Sequence, residues 1–155
     1  MKVLFLDIDG VLKPARAYWL KPHKPDGGFD PLAVAAINLI HERTGATIVF
    51  NTTWNQPGHI RLCEIAASEG ITAPVVDVTD FPDLGDRLDA IKAWIADNGP
   101  LVAWCALDDE TMADDRCIKV NFEFGVSTQD FSNAVRLLGG AADGGRGMPS
   151  VSADG

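Results

Sequence analysis

Short apolar runs alternate with longer stretches of helical periodicity along this chain. Val3-Leu4-Phe5-Leu6 carries no charge, which predicts a strand buried on both faces. Comparable runs at 46–50, 74–78, 101–107 and 118–120 predict four more strands. Between them the apolar spacing turns helical. Asp30 as N-cap and Pro31 at the first helical position open one helix, with Leu32, Ala36, Ile37 and Ile40 as its apolar face and Gly45 as its stop. A second helix is predicted over 57–69, ended by Gly70, and a third over 86–98, with Leu88, Ile91 and Ile95 inward and Gly99 as the stop. A last helix spans 128–138, with Phe131, Val135 and Leu138 on one face. Residues 13–28, rich in proline and aromatics, read as an ordered loop or short flap and not as a helix. The Gly/Ala/Ser/Asp-rich stretch 140–155 is expected to be a disordered C-terminal tail.

Strand and helix signals alternate, so the fold class is α/β: a three-layer, doubly wound (Rossmann-like) parallel sheet of about five strands with helices on both faces. Residues 1–139 are long enough for one well-buried core and form a single domain. Ligands of such sheets bind beyond the carboxyl ends of the strands, so those ends are where chemistry is sought.

Three cysteines, Cys63, Cys105 and Cys117, are scattered and lack metal-ligand spacing, which suits buried thiols in a reducing cytoplasm. No apolar stretch reaches membrane-spanning length, and Asp7 breaks the first run too early for a signal peptide. The net charge of −9 disfavours extended binding to nucleic acid. It leaves one local basic segment: Lys13, Arg16, Lys21, His23 and Lys24 meet no acid until Asp26.

The first strand ends in Asp7-Ile8-Asp9-Gly10-Val11-Leu12. If the strand persists, alternation turns both carboxylates the same way, and Gly10 allows a sharp turn after them. Adjacent carboxylates repel, and burial raises the cost. They are tolerated where a cation lies between them, or where one reacts and the other moves protons. Other predicted strand ends carry complementary groups. The second runs into Asn51-Thr52-Thr53-Trp54-Asn55, whose hydroxyls and turn N–H groups suit a phosphate oxygen or cap the next helix. The fourth ends in Leu107-Asp108-Asp109-Glu110, a second group of acids directly after an apolar run. On the third helix, Arg87 opens the helix near a strand end, whereas Lys92 lies farther down and reads as a surface residue.

The opening motif resembles the D-x-D-G-[VT]-L signature of the haloacid-dehalogenase-like (HAD) superfamily. The order Asp7/Asp9, Thr52, Arg87, Asp108/Asp109 is similar to that family's four motifs over nearly all of the predicted domain. The chain looks closest to small capless members such as the HAD domains of nucleic-acid-repair proteins, in which a T-x-W turn and a W-x-D-D-type strand end recur. Thr52-Thr53-Trp54 and Trp104-Cys105-Ala106-Leu107-Asp108-Asp109 take those places, the latter with longer spacing. Arginine at position 87 replaces the commoner lysine, and holds phosphate as a fork instead of a point charge.

The resemblance implies a Mg2+-dependent phosphatase working through an aspartyl-phosphate. Asp7 would be the nucleophile, and Asp9 the acid and then the base. Mg2+ would be held by the Asp7 carboxylate, the Asp9 backbone carbonyl and Asp109, with Asp108 behind. Thr52 or Thr53, with Arg87 and the Ile8 and Thr53 N–H groups, would hold the phosphoryl oxygens. The acid at position 9 goes with phosphatases in this family, whereas dehalogenases lack it. No interval leaves room for a large cap, so the implied partner is a phosphorylated small molecule, a nucleotide or a nucleic-acid end. Lys13, Arg16, Lys21 and Lys24 would reach further phosphates, and Tyr18 or Trp19 would stack on a base or pin the flap. Alternatives are a non-catalytic phosphate-binding module, a phosphotransferase and, remotely, a receiver-like signalling domain. The order of motifs opposes the last, because a receiver places its acid pair first and its lysine late.

Overall fold

The computed structural model describes residues 1–20, 28–54, 58–81 and 85–140. Five strands form one parallel sheet: β1 (Lys2–Leu6), β2 (Thr47–Phe50), β3 (Val75–Val78), β4 (Ala103–Asp108) and β5 (Cys117–Lys119). The helices are α1 (Ala15–Leu20), α2 (Pro31–Thr44), α3 (His59–Ser68), α4 (Arg87–Asn98) and α5 (Thr128–Leu137). The strand order is β3-β2-β1-β4-β5. The chain therefore steps outward from β1 to β3, returns across the sheet to β4, and opens a crevice between the ends of β1 and β4.

Alternation along the strands divides the core into two layers. Leu4, Leu6, Ile48, Phe50, Cys105 and Leu107 face α2, α3 and α5. Val3, Phe5, Val49, Trp104 and Ala106 face α4 through Ile91 and Trp94. Phe5 meets Trp94 and Trp104 edge-on, each at 5.6 Å between ring centres, a geometry worth about 0.5–1.5 kcal/mol per pair beyond area burial. This is the doubly wound α/β arrangement that the alternation predicts. Between Thr52 and Arg87 the described residues hold α3 and β3 and no cap. Among them, no helix is long and apolar enough to cross a membrane.

Local signals set the helix boundaries. Asp30 caps α2, accepting from the Leu32 N–H, and Gly45 ends it in the left-handed region at φ 77°. Asp86 caps α4 by accepting from the Leu88 and Asp89 N–H groups. Ser127 and Asp130 form a reciprocal capping box on α5.

Three expectations are corrected. Residues 15–20 are helical, not loop. Pro14 precedes a helix-favouring Ala-Arg-Ala stretch, and tertiary contacts hold a helix too short to persist alone. The Ala15 N–H donates to the Phe122 carbonyl, and Arg16 pairs with Asp30 at 2.5 Å. On α2, Leu32 is 68% exposed; the buried face is Ala33, Val34, Ile37 and Ile40, one step around the helix. β1 ends at Leu6, so strand alternation does not carry Asp7 and Asp9 to the same partners. The remainder of the expected flap, with Lys21, His23 and Lys24, lies outside the described residues, as do Pro57 and the tail from 141.

Candidate active site

Asp7 is the first residue beyond β1, and its N–H still bonds the Leu107 carbonyl of β4 at 3.1 Å. The parallel register puts Leu6 beside Leu107, so Asp7 and Asp108 emerge together at the crevice. Both are buried. Their carboxylates share Arg87: its Nη1 donates to Asp7 Oδ2 at 3.1 Å and to Asp108 Oδ2 at 2.8 Å. Nη2 pairs with the exposed Glu110 at 3.0 Å. The Phe81 ring lies 4.9 Å from the guanidinium carbon.

Asp109 completes a group in which one carboxylate oxygen each from Asp7, Asp108 and Asp109 lies within 4.8 Å of the others. Gly10 makes that approach possible. It has φ +84°, and a Cβ there would fall 2.5 Å from Asp109 Cγ. Burial, reinforced by the Asp108 charge, holds Asp7 well above the usual carboxylate range, while Arg87 and the Ile8 N–H act against it. Burial raises Asp108 too, opposed by the Glu110 N–H and Arg87. Burial works to lower Arg87, but Asp7, Asp108 and Glu110 outweigh it and keep the guanidinium charged.

One guanidinium pairs with three acids, Asp7, Asp108 and Glu110, and Asp109 lies beside the first two. Hard oxygen donors converging with an excess of negative charge suit a divalent cation of the Mg2+ type. The residues present therefore fit such an ion.

Asp9 stands outside that trio. Its Oδ1 accepts from the Tyr18 hydroxyl at 2.9 Å, and its Oδ2 from the Trp54 indole N–H at 2.9 Å. Lys13 is buried, with its ammonium 4.8 Å from the Tyr18 ring centre and 5.2 Å from that of Trp54. Arg16 is engaged with Asp30, the cap of α2. Trp19 is 80% exposed.

After β2, Thr52 is fully buried, and its Oγ1 accepts from the Trp54 N–H at 3.2 Å. Its own hydroxyl proton is thus left to donate elsewhere. Thr53 is exposed and lines a cleft of about 590 Å³ together with Phe81, Arg87, Glu110 and Met112. Lys92 is exposed on α4, away from these contacts. The Ile8 N–H donates to Asp7 Oδ1 at 2.8 Å.

Three residues escaped the sequence reading as site components. Asn51 is buried, accepts from the Thr79 hydroxyl at 2.6 Å and donates to the Arg87 carbonyl at 3.2 Å, tying the end of β2 to the start of α4. Its place directly before the Thr52 turn was the available signal. Trp54 and Glu110 touch Asp9 and Arg87 respectively, and only the fold brings them there.

A capless doubly wound sheet with acids at the ends of β1 and β4, a hydroxyl after β2 and a cation at the start of α4 is the arrangement of a HAD-like domain. The family described as the HAD domain in Swiss Army Knife RNA repair proteins matches residues 3–131, and the chain belongs to it. No curated protein and no solved structure matches the chain.

Proposed function

We propose that this domain is a Mg2+-dependent phosphomonoesterase that works through an aspartyl-phosphate on Asp7. The observation that supports this most directly is the bracketing of Asp7 by Arg87 and Asp108 at the crevice between β1 and β4, with Asp109 beside them. A buried carboxylate facing a guanidinium is poised to meet a phosphoryl group that the same guanidinium holds. Glu110, the exposed partner of Arg87, is the group an incoming phosphate displaces.

Asp7, Asp109 and the Asp9 backbone carbonyl would hold the ion, with Asp108 behind. When bound, Mg2+ offsets the charge of the acids and of the phosphate, which lets an anionic nucleophile approach an anionic substrate. The Asp7 carboxylate attacks phosphorus, and the bond to the leaving oxygen breaks. Asp9 gives that oxygen its proton, then takes one from the water that cleaves the acyl phosphate. Thr52 or Thr53, Arg87 and the turn N–H groups orient the transferring oxygens.

An open site and the family support the proposed substrate class. With no cap among the described residues, a bulky phosphorylated end can enter. The family's description, a domain of RNA repair proteins, supports a nucleic-acid end or a nucleotide as that substrate. The net charge of −9 confines contact to that terminus and argues against a long polyanion track. Lys21 and Lys24 remain the proposed contacts to further phosphates.

The test is phosphate release from para-nitrophenyl phosphate, nucleoside monophosphates and 3′- or 5′-phosphorylated oligonucleotides. Each is run with Mg2+, with EDTA and with Asp7→Asn. Turnover needing both Mg2+ and Asp7, strongest on one class of oligonucleotide end, is expected. Turnover indifferent to Asp7 would overturn the proposal. Phosphate passing to an added alcohol in preference to water would indicate a phosphotransferase.

A further inference from the structure

Asp9 is unusual among the site's acids because both of its oxygens are bonded by neutral side-chain donors. The Tyr18 hydroxyl reaches Oδ1 and the Trp54 indole reaches Oδ2, each at 2.9 Å. The two donors are not equivalent. An indole N–H only donates, whereas a phenol can donate or accept. Oδ2 must therefore remain an acceptor whichever protonation state Asp9 is in. A proton on Oδ1 is tolerated, because the Tyr18 hydroxyl can rotate and accept it.

We propose that Tyr18 and Trp54 are positioning residues that fix the Asp9 carboxylate and make Oδ1 the oxygen through which its proton passes. The inference rests on the phosphatase reading. In the first half-reaction the Oδ1 proton goes to the leaving oxygen as the Asp7–phosphorus bond forms and the ester bond breaks. In the second, a water proton goes to Oδ1 as water's oxygen joins phosphorus and the Asp7 bond breaks. Tyr18 accepts from Oδ1 before the first transfer and donates to it between the two.

The surroundings support a built arrangement. The Lys13 ammonium lies near both ring faces and ties them to one another. Tyr18 is carried by α1, which the Ala15–Phe122 hydrogen bond and the Arg16–Asp30 ion pair anchor to the body. Tyr18 is 44% exposed and Trp54 is half-buried, so the partner of Oδ1 is the more open of the two donors. Neither side chain hydrogen-bonds the acid trio in the contacts described, and each side chain's hydrogen bond into the site is the one to Asp9.

The experiment compares kcat/KM for an alkyl phosphate, which needs a proton on its leaving oxygen, with that for 2,4-dinitrophenyl phosphate, which does not. Tyr18→Phe is expected to lower the first by about tenfold more than the second, a share of what a general acid contributes. Trp54→Phe should behave likewise. In an Asp9→Asn background, Tyr18→Phe should add nothing to that ratio. Equal losses on both substrates, with wild-type turnover intact and dependent on Asp7, would overturn the inference and leave the phosphatase reading standing. Wild-type turnover independent of Asp7 would remove both. A readout without turnover uses 15N-labelled protein. The Trp54 indole N–H signal, assigned by its loss in Trp54→Phe, should move in Asp9→Asn. An unmoved signal would also overturn the inference.

Discussion

Gly10→Ala tests whether backbone geometry after β1 holds the acid trio together. Two costs can be separated. The first is conformational: at φ +84° an L-residue pays about 1–2 kcal/mol for the left-handed region. The second is contact. The new Cβ would lie 2.5 Å from Asp109 Cγ, 2.6 Å from Oδ2 and 2.7 Å from Cβ. Because the Asp109 Cβ is itself too close, rotating the carboxylate does not clear the clash, and the backbone of one loop must move. Overpacking of this kind costs about 1–3 kcal/mol. Gly45→Ala is the control: its φ is +77°, and nothing lies within 4 Å of the added Cβ. Gly45→Ala should therefore show the conformational cost alone, a fall of roughly 2–8 °C in unfolding midpoint for a domain of this size. Gly10→Ala should fall further, by roughly another 2–12 °C, and should weaken Mg2+ binding about tenfold or more by displacing Asp109. Thermal unfolding in EDTA and titration calorimetry with Mg2+ provide both numbers. Equal midpoints for the two variants, or unchanged Mg2+ affinity in Gly10→Ala, would refute the reasoning.

Asp7 gives a pH prediction. The folded protein keeps its proton up to about pH 8, whereas the unfolded chain releases it near 3.8, so the contribution of this group is complete below the lower value and lost as pH rises through the upper. In EDTA the wild type should lose stability across that window, and Asp7→Asn should flatten the loss; parallel pH profiles of the unfolding midpoint would contradict this. Arg87→Met leaves the buried Asp108 carboxylate without its cation and removes the hydrogen bond to Asp7, and should cost about 3–5 kcal/mol near neutral pH in EDTA, partly restored by Mg2+; denaturant unfolding measures it. Asn51→Ala removes bonds to Thr79 and to the Arg87 carbonyl and should cost about 1–3 kcal/mol, with amide exchange quickening at the start of α4; unchanged exchange there would argue that Asn51 does not anchor Arg87.

Much of this architecture is legible in the chain because its strands are short, uncharged and separated by well-capped helices. Val3–Leu6 carries no charge because both of its faces are covered, and Asp30 and Gly45 bound α2 by local chemistry alone. Acids directly after β1 and β4 flagged the crevice, because parallel strands place their carboxyl ends side by side. Other features depend on contacts distant in sequence. α1 is too short for a helical period and is held by Phe122 and Asp30. The hydrogen bond from Trp54 to Asp9 spans 45 positions, and no spacing rule predicts it. Leu32 misled because its apolar character suggested the buried face, whereas the tilt of α2 is set by Ala33, Val34, Ile37 and Ile40 against the sheet.

The central claim is that phosphate passes through Asp7, and the most direct measurement is to trap it there. Asp9→Asn is mixed with 2,4-dinitrophenyl phosphate and Mg2+, quenched in acid and mapped by peptide mass spectrometry. That substrate does not need the proton Asp9 supplies, whereas hydrolysis of the intermediate does need Asp9 as base. The account predicts a phosphate adduct on the peptide bearing Asp7, absent with EDTA and absent when Asp7 is also replaced by Asn. Release of dinitrophenol without an adduct, or an adduct on any other residue, would contradict it.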